Sequence, residues 1–90
     1  MMQIKLSGQA LRAWRSWSHL SASRQKMLWD VWETGQRLID AGAFDRTPIG
    51  TQLRYEMPPP ANVRLYFLKA DFDRVELFRI ALPHYPKSSD

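Results

Sequence analysis

The C-terminal half of the chain carries the side-chain types that act on phosphate esters: Arg54, Arg64, Tyr66, Arg79, His84, Tyr85 and Lys87. Cleaving a phosphodiester with the adjacent RNA 2′-hydroxyl takes one group to accept the 2′ proton and another to protonate the departing 5′ oxygen. It also takes cations against the charge that builds on phosphorus. Histidine, tyrosine or lysine can serve as the acid and base, and arginine supplies the cation. Its planar fork matches a pair of phosphate oxygens, whereas lysine is a point charge. Composition alone favours a plainer reading, in which each arginine is an ordinary charged strand position.

Other chemistries find little support. The two histidines, His19 and His84, have no metal-ligand spacing around them, and the absence of cysteine excludes disulfides and thiolate metal sites. His19 reads as a solvated turn residue. No Ser-His-acid pattern, glycine-rich phosphate loop or zinc signature occurs. Asp71 and Asp73 flank a turn and serve it. Neither a metal nor a cofactor is expected. Thirteen Lys and Arg against nine Asp and Glu give a net charge of +4, and most of the basic residues are arginine. That balance suits a nucleic acid or an acidic protein as partner, although many small basic proteins bind neither.

The elements that must position these residues follow from periodicity. Ninety residues make a single domain, 1–90, and a hydrophobic fraction of 44% with four tryptophans excludes intrinsic disorder. The N-terminus lacks the apolar stretch of a signal peptide, and no window approaches the roughly 18 apolar residues of a membrane span. A cytoplasmic protein without membrane contact is expected. "MQIKL" alternates as a short strand, and Ser7 is a plausible cap for a helix from Gln9 to Trp17 with Ala10, Leu11, Trp14 and Trp17 on its apolar face. "SHLSAS" interrupts the pattern, and Ser21 or Ser23 can cap a longer helix carrying Met27, Leu28, Val31, Trp32, Leu38 and Ile39. Gly35 inside it points to a kink or close packing, and Gly42 to its end. The tryptophans should seal helix against sheet, with Trp29 the exception because it lies beside the apolar face.

Period two follows. "TQLRYEM" sets Leu53, Tyr55 and Met57 against Gln52, Arg54 and Glu56, and three prolines at 58–60 form a stiff connection. "NVRLYFL" sets Val63, Leu65 and Phe67 against Arg64, Tyr66 and Leu68; "KADFD" turns the chain, and "RVELFRIAL" returns. This order predicts an α+β fold: an N-terminal strand, then a two-helix hairpin packed on one face of a mostly antiparallel sheet with three C-terminal strands. The last hairpin is expected at the sheet's centre and edge, its arginines on a concave basic surface.

"IKLSGQALRAWRSWSHLSASRQKML" resembles the opening of RelE/ParE-superfamily toxins, where a first strand leads into an "AL..W..L" helix and a basic second helix. "NVRLYFLKADFDRVELFRIALPH" is similar to that family's arginine-led strand and returning "VVVF.I" strand, and the ending "YPKSSD" resembles the HigB-like branch. The resemblance implies the toxin of a bacterial toxin–antitoxin pair, with a cognate antitoxin as partner. It further implies an endoribonuclease that cuts mRNA on the ribosome without a metal, or else a ParE-like gyrase inhibitor or a non-catalytic interaction module of the same fold. Position by position, Arg64 matches the family arginine at the scissile phosphate, Arg54 joins it, and His84 or Tyr85 stands where acid or base would act. Arg79, at a position the family usually fills with an apolar residue, reads as a secondary contact to RNA or to the antitoxin, and Lys87 as a further RNA contact. Gln52 replaces an expected lysine, and the family's terminal arginine-rich run is missing.

Overall fold

A computed structural model describes residues 1–82 of the chain. The elements are β1 (Gln3–Leu6), α1 (Gly8–Trp17), α2 (Ala22–Asp40), β2 (Gln52–Glu56), β3 (Arg64–Asp71) and β4 (Arg74–Ala81). They build an α+β fold of the expected layout. The sheet order is β1-β4-β3-β2, with β1 parallel to β4 and the other neighbours antiparallel. The β3–β4 hairpin therefore supplies both central strands, and β1 and β2 are the edges. This departs from the expected centre-and-edge placement because β1, the first element of the chain, pairs in parallel with the outer side of β4 and so takes the edge position.

Alternation sorts the sheet into two faces, since successive strand residues point to opposite sides. Leu65, Phe67, Val75, Leu77 and Ile80 lie on the covered face and meet Ala10, Leu28, Val31 and Ile39 from the helices. Phe44, from the loop after α2, closes the core against Phe67 with ring centroids 5.1 Å apart. Burying side chains of this size contributes about 1.5–3 kcal/mol each.

Local signals fix the helices. Ser21 caps α2, its hydroxyl accepting from the Arg24 backbone N–H at 3.2 Å. At the other end Gly42 adopts φ +76°. Its N–H donates to Ile39 O and that of Ala43 to Leu38 O, both at 2.9 Å, the paired bonds by which a left-handed glycine ends a helix. Gly35 does not break α2. A Cβ there would lie 2.6 Å from Ile4 Cδ1, so the missing side chain lets β1 pack closely against the helix. Trp14 and Trp32 meet edge-on at 6.0 Å and seal helix to helix, while Trp29 is 63% exposed, the expected exception.

One buried charged residue departs from the pattern. β3 runs past Leu68, and only Phe72 and Asp73 make the turn. Lys69 consequently falls on the covered face, 1% exposed, and its Nζ donates to Phe44 O at 2.6 Å. Lys69 N donates to Thr51 O and Lys69 O accepts from Gly50 N. The loop between α2 and β2 is thus pinned at three points to one residue.

Candidate nucleic-acid interface

The face of the sheet turned away from the helices carries the arginines. Strand register places Arg54, Tyr66 and Arg79 directly opposite one another across β2, β3 and β4. One step along, Glu56 lies opposite Arg64. Directly opposed residues hold their Cβ atoms about 4.5–5.5 Å apart, so these side chains form one continuous patch.

Glu56 links the patch. Its Oε1 lies 3.4 Å from Arg64 Nε and 3.9 Å from Arg54 Nη2, with all three side chains more than half exposed. Exposed pairs of this kind contribute about 0–1 kcal/mol to stability, so their significance is positional. Two guanidinium groups reach the same carboxylate oxygen, and a phosphate brought between them would find both forks. Glu56 itself is an acceptor placed beside that spot, the chemistry of a general base. In the sequence Glu56 reads only as one of the polar positions of an alternating strand. Its signal was its position two residues after Arg54, on the same face of a strand.

Arg79 reaches the patch through an irregularity. Tyr66 pairs with Arg79, but the next residue, Phe67, pairs with Leu77, leaving Phe78 as an extra residue in β4. The guanidinium of Arg79 sits 5.2 Å from the Tyr66 ring centroid, and the Phe78 ring lies 6.2 Å from the same ring at 58°. Beyond the bulge, the Ile80 N–H donates to Gln9 Oε1 of α1 at 2.8 Å, so the first helix closes the ladder where β1 has ended.

Of the residues singled out from sequence, Arg54, Arg64 and Arg79 come together on this face. His84, Tyr85 and Lys87 lie outside the described residues. His19 is exposed in the turn between the helices. Among the described residues, no group of His, Cys, Asp and Glu is placed to hold a metal, and no helix is long and apolar enough to cross a membrane.

Fold and site together define a small α+β protein whose open sheet face is cationic and aromatic. No family model matches the chain, and neither a curated protein nor a solved structure is significantly similar to it.

Proposed function

We propose that the protein is the toxin of a toxin–antitoxin pair, an endoribonuclease that cuts message on the ribosome. The observation that carries this reading is the convergence of Arg54 and Arg64 on Glu56, within 4 Å of one carboxylate oxygen, on a sheet face left exposed among the described residues. In the reaction the RNA 2′ oxygen attacks phosphorus and the bond to the 5′ oxygen breaks, leaving a 2′,3′-cyclic phosphate. Arg54 and Arg64 hold the phosphate and oppose its growing charge. Glu56 takes the 2′ proton, and His84 or Tyr85 protonates the departing oxygen. A cognate antitoxin silences the protein by covering this face with an extended or helical segment.

Induced expression in a bacterium tests the reading. Growth should arrest, with protein synthesis falling before DNA synthesis and with messages cleaved. Early DNA damage with intact messages would select a gyrase inhibitor instead, and normal growth would select a non-catalytic interaction module. The exposed Trp29, which with Trp14, Ser18, Gln25 and Leu28 lines a groove between the helices, favours a protein contact in that second reading. This groove lies away from the arginine face, so the two readings place their working surfaces on different elements.

A further inference from the structure

Tyr66 is a half-buried aromatic on the open face of the sheet, and its surroundings ask for an explanation. In a regular strand, neighbouring residues point to opposite faces, so Phe78 and Arg79 could not both touch one ring. The bulge in β4 makes this possible, and bulges commonly re-aim side chains beside working sites. The result is an aromatic ring braced by Phe78 at its side, with the Cζ of the Arg79 guanidinium over it, 5.2 Å from its centroid. Directly across from it on the other neighbouring strand stands Arg54.

We infer that Tyr66, braced by Phe78 and Arg79, is a stacking platform for one base of single-stranded RNA, while Arg64 and Arg54 hold the adjacent phosphate. The inference rests on the nuclease reading above and says how that site registers its substrate. A base has the flat π-face that an aromatic ring and an arginine plane both accept, and such stacking tolerates any sequence. Tyr66 and Arg64 lie two residues apart on one face of β3, about 7 Å along the strand, so base and phosphate meet neighbouring side chains. A duplex keeps its base faces in its own stack, and the platform therefore selects unpaired RNA. An acidic peptide would engage the arginines and leave the ring face unused, which makes the ring the discriminating group.

The test uses the full chain and a labelled, fully 2′-O-methylated single-stranded RNA, which lacks the attacking hydroxyl and so reports binding without cleavage. Fluorescence anisotropy at low salt should show binding by the wild type and weaker binding of the matching duplex. Tyr66→Phe, which keeps the ring, should bind within about twofold of wild type, while Tyr66→Leu, which keeps much of the apolar bulk, should bind roughly tenfold more weakly. Circular dichroism on each variant confirms that the fold is kept. The salt dependence separates stacking from charge: Tyr66→Leu should leave the slope of log K against log salt unchanged, and Arg64→Gln should reduce it by about 0.7. Equal binding by a folded Tyr66→Leu and the wild type would overturn the platform while leaving the nuclease reading intact. Tighter binding of a polyglutamate peptide than of RNA, or no RNA binding by the wild type, would overturn both.

Discussion

The two faces of the central hairpin differ in what their residues answer to. On the covered face, Leu65, Phe67, Val75, Leu77 and Ile80 are all but inaccessible and answer to packing. On the open face of the same strands, Arg64, Tyr66 and Arg79 touch one another or a neighbour's charge, with both arginines exposed and Tyr66 half-buried. Alternate residues of one strand thus divide between a packed core and a charged, aromatic surface. Substitutions on one face should unfold the protein, and those on the other should leave it folded and change what it binds.

The largest effect should come from the covered face. Phe67→Ala removes a fully buried ring between Phe44 and the helices, and should cost about 3–5 kcal/mol in denaturant unfolding. Lys69 sharpens the comparison, because a charged residue type here sits on the core side. Lys69→Ala should behave as a core truncation, losing about 2–3 kcal/mol, since it empties a buried position and leaves Phe44 O without its donor. A loss below about 0.5 kcal/mol would place Lys69 with the surface lysines instead. The smallest effect belongs to Arg79→Gln on the open face. Unfolding should change by no more than about 0.5 kcal/mol, and message cleavage on ribosomes should fall less than in Arg64→Gln, because Arg79 braces Tyr66 and lies apart from the Glu56 cluster.

The sequence made much of this sorting legible. Alternation in "NVRLYFL" set Arg64 and Tyr66 apart from Leu65 and Phe67, and the helical repeats in α1 and α2 read cleanly because both helices have one apolar side. Two features escaped. Lys69 has a long aliphatic stem and a single ammonium group, so its burial depends on a carbonyl brought from 25 residues away, which no local pattern announces. The bulge escaped for a related reason. Strict alternation from Val75 and Leu77 would send Arg79 into the core, and only the three-residue step from Leu77 to Ile80 hints that β4 slips by one. The placement of Glu56 between Arg54 and Arg64 escaped as well, because it depends on which strand lies beside β2.

The central claim is that Arg64 holds a scissile phosphate without holding up the fold, and one paired measurement tests it most directly. Purified wild type and Arg64→Gln are compared for cleavage of message on programmed ribosomes and for unfolding free energy. The account predicts a change in stability within about 0.5 kcal/mol, since only an exposed pair with Glu56 is lost. Cleavage should fall roughly a hundredfold or more, because a donor to the transition-state charge is removed. A folded Arg64→Gln protein that cleaves at the wild-type rate would contradict it.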